Sequence, residues 1–207
     1  MIELKHIHLS FNGKKVLDDF SFKADKGAKI AIKGPSGSGK TSILNLIMHF
    51  INADKGEIHI QGELQTKSNI LQIRRNITWL PQNTAILGKG TVEEVMLIPF
   101  NFSANEKIKP TLNDLKLNLE KVGLPESILE SKVEDISGGE KQRIELVICK
   151  LLQRPIMLLD EPTSALDKDS KELVINYLFD NSEQTIISTS HDDSFLERCD
   201  RVVELLK

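Results

Sequence analysis

One glycine-rich octapeptide gives the clearest chemical signal in the sequence, because its residue types and spacing suit a phosphate. It consists of Gly34, Pro35, Ser36, Gly37, Ser38, Gly39, Lys40 and Thr41. The octapeptide fits G-x-x-x-x-G-K-[ST], in which the glycines let backbone N–H groups turn inward around the anion. Lys40 would reach the β- and γ-phosphates of a nucleoside triphosphate, and the Thr41 hydroxyl would ligate Mg²⁺.

The flanking residues supply the elements that such a loop needs. Residues 29–33 form an apolar run that predicts a buried strand, and residues 42–48 carry apolar side chains at helical spacing. A helix that begins there adds the positive end of its dipole to the site. Ser42, directly after the octapeptide, belongs to the predicted nucleotide-binding set. The alternative is a glycine- and serine-rich turn that matches by chance, and the flanking strand and helix argue against it.

A pair of carboxylates follows a second apolar run. Residues 156–159 predict a strand buried on both faces, and Asp160 and Glu161 come directly after it. Asp160 has the position of a carboxylate that holds Mg²⁺ in a phosphate-loop enzyme. Adjacent residues that leave a strand point apart, so Glu161 can face the attacking water as a general base. The alternative is two surface acids at a strand end.

Two further polar residues follow predicted strands. Gln82 comes after residues 76–80, and its amide could ligate Mg²⁺ or orient water. His191 comes after residues 185–189 and could hydrogen-bond a γ-phosphate. Taken alone, either residue is more often structural.

A second glycine-opened helix is predicted from residue 137 onward. Ser137, Gly138 and Gly139 precede a long apolar stripe at helical spacing. A helix start that needs only a cap does not require two glycines. A helix start that contacts a phosphate does, because glycines let the backbone N–H groups approach the anion closely.

Alternation of strands and helices around these motifs predicts an α/β fold, with a mainly parallel sheet covered by helices. Residues 2–10 and 16–24 predict an antiparallel β layer before the loop, with Phe11 at the turn between them. Phe11 could belong to the core or stack on a nucleotide base. Residues 83–137 contain short helical segments that predict a helical subdomain inserted between strands of the sheet.

Composition narrows the protein class. The chain has 207 residues and a net charge of −3, so nothing suggests nucleic acid as a main partner. It contains no apolar run near the length that spans a bilayer and no signal peptide at its start, which predicts a cytoplasmic protein. Cys149 and Cys199 are widely separated and are expected to be packed thiols. His6 and His8 alternate along a predicted strand, and we expect no nearby carboxylate or thiol to complete a metal site.

In their order along the chain, these motifs resemble the ATPase domain of ABC transporters. Residues 34–41 correspond to Walker A, Gln82 to the Q-loop, residues 136–140 to the signature, residues 156–161 to Walker B with its catalytic glutamate, residues 164–167 to the D-loop and His191 to the H-loop. The resemblance covers essentially the whole chain. It implies a P-loop NTPase fold, in which 1–82 and 156–207 form a RecA-like core with the β layer and 83–155 form the helical subdomain.

The resemblance also implies a mechanism. Two such domains, as a homodimer or heterodimer, close head-to-tail around two ATP molecules and drive a separate transmembrane permease. Ser137, Gly138 and Gly139 of one subunit then cap the γ-phosphate held by Lys40 of the other, and Glu140 belongs to the same partner-site signature. Glu161, His191, Lys40 and Gln82 form the implied catalytic set, and Thr41, Gln82 and Asp160 serve Mg²⁺. Asp167 links the two sites, and Phe11 stacks on adenine.

Some positions depart from the family pattern. The signature reads ISGGE, a common variant, and no segment like TEVGERG precedes it, which argues against a fused multidrug-type exporter. No regulatory domain is expected after residue 207. The run from Ser137 to Ile144 is most similar to stand-alone ATPases of bacterial export systems, including the iron-efflux type. A second hypothesis is an ABC ATPase that acts in translation or DNA repair without a permease.

Overall fold

The computed structural model describes residues 1–83 and 89–206, so residues 84–88 of the predicted helical subdomain lie outside the described residues. The strands are β1 (Ile2–Phe11), β2 (Lys14–Ala24), β3 (Lys29–Lys33), β4 (Lys55–Ile60), β5 (Glu63–Leu64), β6 (Ile77–Leu80), β7 (Ile156–Asp160), β8 (Thr185–Thr189) and β9 (Arg201–Glu204). The α-helices are α1 (Lys40–Ile47), α2 (Ile70–Arg74), α3 (Val92–Leu97), α4 (Leu112–Lys121), α5 (Gly138–Leu151), α6 (Lys168–Phe179) and α7 (Asp193–Glu197). Four 3₁₀ turns span Ile98–Asn101, Glu106–Ile108, Glu126–Glu130 and Val133–Asp135 in the described part of the chain.

The strands form two sheets. One has the order β2-β1-β4-β5, and the other has the order β6-β7-β8-β3-β9. In the second sheet β8 pairs in parallel with both β7 and β3, and β3 pairs in parallel with β9. In the first sheet β1 is antiparallel to β2 and β4. The predicted fold class, a mainly parallel sheet with an N-terminal antiparallel β layer, is confirmed.

Burial explains why these residues form the central strands. Every residue of β7 and β8 is buried, as are the first four residues of β3. Helix α1 buries Ile43, Leu44, Leu46 and Ile47 and contacts β4, β7 and β8. Each buried aliphatic side chain stabilises the fold by about 1.5–3 kcal/mol. The residues before and after the glycine-rich loop are therefore fixed in the core.

The chain divides into two compact units. The first comprises Met1–Thr78, Arg154–Glu161 and Ser182–Lys207, and the second comprises Trp79–Gln153 and Pro162–Asn181. This division differs from the predicted ranges at residues 79–82 and 162–181, which the prediction places in the core, and at residues 154–155, which it places in the helical subdomain. In the structure Tyr177 of α6 donates a hydrogen bond to Asn118 of α4 at 2.8 Å. The functional domain boundaries stay a prediction.

Helix starts in the second unit follow local capping rules. Thr91 and Glu94 form a capping box at the start of α3. Thr111 and Asp114 form another at α4. Within the described ranges, no helix is long and apolar enough to cross a membrane.

Each histidine of β1 lies beside an aspartate of β2. His6 Nδ1 lies 2.7 Å from Asp19 Oδ1, and His8 Nδ1 lies 2.9 Å from Asp18 Oδ1. The pairing of β1 with β2 has register shifts that bring these side chains together. In residues 1–83 and 89–206, no group of three or more His, Cys, Asp or Glu could hold a metal ion.

Candidate active site

The glycine-rich loop connects the end of β3 to the start of α1, and two of its glycines are sterically required. A Cβ on Gly34 would lie 2.7 Å from the Leu205 carbonyl oxygen and 2.8 Å from Ser38 Oγ. Gly39 has a φ of +99°, and a Cβ there would lie 2.8 Å from Val16 Cγ1. A side chain at either position would force neighbouring atoms to move. Glycine at both positions therefore lets the loop backbone pack closely against its neighbours.

Helix α1 begins without a side-chain cap. Its N-cap, Gly39, makes no side-chain hydrogen bond, and its first turn carries no acidic residue. Among the described α-helices of eight residues or more, the other three begin with a side-chain cap, from Thr111, Ser137 or Asp167. The first N–H groups of α1 therefore remain available to an anion.

Two polar groups inside the loop also fit a polyphosphate. Lys40 Nζ donates to the carbonyl oxygens of Gly34 at 2.7 Å and Pro35 at 3.2 Å. Ser38 Oγ is buried without a hydrogen-bond partner in the described structure. A buried hydroxyl left unpaired costs about 1–3 kcal/mol, and a phosphate oxygen would remove that cost.

Asp160 is a buried carboxylate at the carboxyl end of β7. Its side chain belongs to a residue that is only 2% exposed. Thr189, the last residue of β8 and opposite Asp160 in the parallel pairing, places Oγ1 2.5 Å from Asp160 Oδ1. A carboxylate and a Thr41 hydroxyl are hard oxygen donors of the kind that Mg²⁺ prefers. The residues present therefore fit this metal.

Glu161 leaves β7 in a left-handed backbone conformation, with a φ of +52°. Its N–H donates to two acceptors on one residue, the Thr189 carbonyl oxygen at 3.1 Å and Thr189 Oγ1 at 3.0 Å. Its Oε1 lies 3.5 Å from His191 Nε2, and the two side chains are 14% and 51% exposed. The structure thus brings the predicted base and the predicted γ-phosphate contact together.

Strand order explains why these groups meet. Strand β8 lies between β7 and β3, and all three are parallel. The carboxyl ends of parallel strands lie at one edge of the sheet, where ligands bind in open α/β folds. Gly34, His191 and Asp160 follow or end these three strands.

Gln82 and the predicted signature residues lie in the second unit. Gln82 is exposed and follows β6 after one intervening residue. Ser137 caps α5: its hydroxyl donates to Glu140 Oε2 at 2.7 Å and accepts the Glu140 N–H at 3.3 Å. The hydrogen bond from the Ser137 hydroxyl lowers the pKa of the Glu140 carboxyl. The roles assigned to Gln82 and to the signature residues stay predictions.

A family model described as ABC transporter matches residues 17–164, which is more than half of the chain. The chain belongs to the ABC transporter family. This membership confirms the resemblance, the predicted ATPase class, and ATP and Mg²⁺ as the expected nucleotide and metal. The iron-efflux subgroup stays a prediction.

Relatives in this family cover nearly the whole chain. A probable ABC transporter ATP-binding/permease protein of Haemophilus influenzae is 32% identical over 98% of this chain and 37% of its own length. The Fe(3+) ions import ATP-binding protein FbpC 2 of Pectobacterium atrosepticum is 34% identical over 98% of this chain and 59% of its own length. The chain thus spans less than two thirds of either relative.

A solved structure has the same fold. It is a dimeric ATP-binding cassette in a post-hydrolysis state bound to ADP and Pi, with a TM-score of 0.83 and 24% identity. The match covers 99% of this ABC-family chain and 94% of that one.

Two more of the family positions lie at the start of α6 and at the end of β1. The Asp167 carboxylate caps α6 by accepting the Ser170 N–H at 3.0 Å, and that backbone hydrogen bond lowers its pKa. Phe11 is 45% exposed at the end of β1. It lies on the same hairpin as Val16, the residue that Gly39 approaches.

Thr189 is not among the residues that the motifs predict. The sequence predicts residues 185–189 only as a strand, although Ser188 and Thr189 end it and Ser190 follows it, all three fully buried in the structure. The run of three hydroxyl residues at the strand end is the signal that the sequence offers.

Proposed function

We propose that this chain is the ATP-binding and ATP-hydrolysing domain of an ABC transporter and that it drives a membrane permease. The observation that carries the proposal is the meeting of Glu161 and His191 at the sheet edge that also holds the glycine-rich loop. Family membership supports ATP as the nucleotide.

In the proposed binding mode, the loop residues Gly34–Thr41 and Ser42 surround the phosphates. The Lys40 ammonium exchanges its two loop carbonyls for β- and γ-phosphate oxygens, and Ser38 Oγ gains the partner it lacks. Phe11 stacks on adenine. Thr41, Asp160 and Gln82 would hold Mg²⁺, directly or through water, and the ion would supply positive charge beside the phosphates.

In the proposed reaction, a water oxygen attacks the γ-phosphorus. Glu161 takes or polarises the water proton, and the bond between the γ-phosphorus and the bridging oxygen of ADP breaks to leave ADP and inorganic phosphate. His191, beside Glu161, hydrogen-bonds the γ-phosphate as charge develops on its oxygens.

The proposed working unit is a two-fold dimer, with this chain or a similar one as partner. Ser137, Gly138, Gly139 and Glu140 of one copy close over the ATP of the other, and Asp167 lies between the two sites. A separate permease in the membrane places the domain on the inner face of the cell membrane, in the cytoplasm. Export is the proposed direction, because the run after Ser137 is most similar to export ATPases.

The variant Glu161→Gln tests this function. It keeps the size of the side chain and removes the base, so we expect ATP turnover to fall by at least about 100-fold while ATP binding persists. Phosphate release and titration of a fluorescent ATP analogue measure the two effects. Trapped with ATP, the tagged variant should also co-purify with a membrane-spanning protein from cells.

Glu183→Gln is the matched control, since Glu183 is an exposed glutamate at the opposite end of the sheet, just before β8. It should leave turnover unchanged. Near-normal turnover in Glu161→Gln would disprove the base assignment. Co-purification with ribosomes or DNA instead of a membrane protein would support the alternative without a permease.

A further inference from the structure

A single buried hydroxyl connects the two acidic residues of the site. Thr189 is fully buried at the end of β8. Its Oγ1 lies 2.5 Å from Asp160 Oδ1 and 3.0 Å from the backbone nitrogen of Glu161. The same side chain therefore contacts both residues, which the sequence places next to each other at the end of β7.

The direction of each hydrogen bond follows from the groups involved. The Glu161 N–H can only donate, so Thr189 Oγ1 accepts it. A threonine hydroxyl carries one proton, and the Asp160 carboxylate is the acceptor that faces it. The hydroxyl proton thus goes to Asp160 Oδ1, and the register that pairs Asp160 with Thr189 keeps it there.

We propose that Thr189 is a positioning residue for ATP hydrolysis. Its hydroxyl aims the Asp160 carboxylate at the metal position. It also helps to hold Glu161 in the left-handed conformation from which the Glu161 side chain reaches His191. Thr189 acts through these two residues and touches neither nucleotide nor metal. The inference rests on the proposed roles of Asp160 and Glu161.

Thr189→Val tests the inference, because valine has nearly the same shape without the hydroxyl. Loss of an outer-shell partner typically weakens metal affinity or activity by about 10–100-fold. We expect the Mg²⁺ concentration for half-maximal turnover to rise about tenfold or more, with a lower kcat and an unchanged affinity for ATP in EDTA. In a Glu161→Gln background, binding of a fluorescent ATP analogue over a Mg²⁺ series measures the same shift without turnover.

Thr78→Val is the matched control. Thr78 is also a buried threonine whose hydroxyl donates to β7, at the Ile156 carbonyl oxygen and thus at the other end of the strand. It should leave the Mg²⁺ dependence unchanged. Thr189→Ser keeps the hydroxyl and should therefore keep a Mg²⁺ dependence of turnover close to that of the natural sequence. If Thr189→Val does not fold, Thr189→Ala removes the same hydroxyl with less crowding.

Two outcomes would overturn the inference. In the first, the Mg²⁺ dependence is unshifted in Thr189→Val but shifted in Asp160→Asn. This result would support the proposed role of Asp160 at the metal and contradict the role of Thr189. The other is an equal shift in Thr189→Val and Thr78→Val, which would mean a general effect of β7 packing. An unshifted Asp160→Asn would instead disprove the proposed role of Asp160, and with it this inference.

Discussion

Lys40 shows how one residue prepares the loop for its ligand. Its ammonium hydrogen-bonds the carbonyl oxygens of Gly34 and Pro35, at the opposite end of the same loop. These bonds tie the two ends of the loop together, and the Ser38 hydroxyl between them is buried without a hydrogen-bond partner in the described structure. Binding of phosphate replaces neutral acceptors with charged ones, and hydrogen bonds to charged groups contribute about 1.5–3 kcal/mol.

Lys40→Ala should therefore weaken ATP binding by about 10- to 100-fold, since each 1.4 kcal/mol is a factor of ten. Titration of a fluorescent ATP analogue measures the change. Lys33→Ala is the control, because Lys33 ends β3 just before the loop and its Nζ lies 3.9 Å from Asp193. ATP affinity of Lys40→Ala within twofold of that of Lys33→Ala would contradict the role of Lys40.

At the residue scale, the sequence predicts functional residues that form a local motif. It does not predict residues that only strand pairing brings into the site. Residues 34–41 are contiguous, and Asp160 and Glu161 are adjacent, so their pattern is visible in one line. Thr189 and Asp160 are separated by 29 residues, and only the register of β7 and β8 brings them together. The same holds for the carboxylates beside His6 and His8, which depend on shifts in the pairing of β1 and β2.

At the scale of elements, the start of α5 has two possible uses for one hydroxyl. The Ser137 hydroxyl donates to the Glu140 carboxylate at 2.7 Å, as part of a capping box. The same hydroxyl is the proposed donor to a γ-phosphate on the other copy. It can serve only one acceptor at a time, because it carries one proton. Capping of α5 and closure over ATP therefore compete.

Glu140→Gln should shift this competition. The neutral amide accepts the Ser137 proton more weakly and no longer repels a phosphate, an effect of about 1 kcal/mol or a factor of about five. We expect the ATP-bound dimer of a Glu161→Gln background to form at about fivefold lower protein concentration, as measured by analytical ultracentrifugation. Loss of the charge near the helix start should lower the free energy of unfolding by about 0.3–1 kcal/mol.

Glu94→Gln separates the effect on helix stability from the effect on dimer formation. Thr91 and Glu94 form the same capping box at α3, so this variant should lose similar stability in urea and leave dimer formation unchanged. An equal effect of both variants on dimer formation would mean that helix stability alone controls closure.

Element prediction succeeded for short strands with a buried apolar centre. Strands β3 and β8 have the predicted bounds, because each is a run of buried residues with clear ends. The two-residue strand β5 and the five-residue helix α2 were not predicted. Strand β5 is too short to show a strand period, and α2 spans little more than one helical turn, so their contacts with neighbouring elements define them.

At the scale of the whole molecule, the proposed site is divided between two copies of the chain. The loop, Asp160, Glu161 and His191 belong to the first compact unit, and the Ser137–Glu140 segment belongs to the second. In a head-to-tail dimer each ATP takes the first unit of one copy and the second unit of the other. A defect in the glycine-rich loop then affects the site that its own copy holds, and a defect in the Ser137–Glu140 segment affects the site of the partner copy.

Mixing two inactive variants tests this division. Lys40→Ala disables the loop, and Ser137→Ala disables the segment that closes over the partner's ATP, so each homodimer has two defective sites. A mixed dimer has one site in which both defects meet and one site that is intact. Random pairing makes about half of the dimers mixed, so the mixture should regain about a quarter of the ATPase activity of the natural sequence.

Mixing Lys40→Ala with Glu161→Gln should regain none, because both defects lie on the loop side and every site contains one. Recovery in that control, or none in the first mixture, would contradict the head-to-tail arrangement.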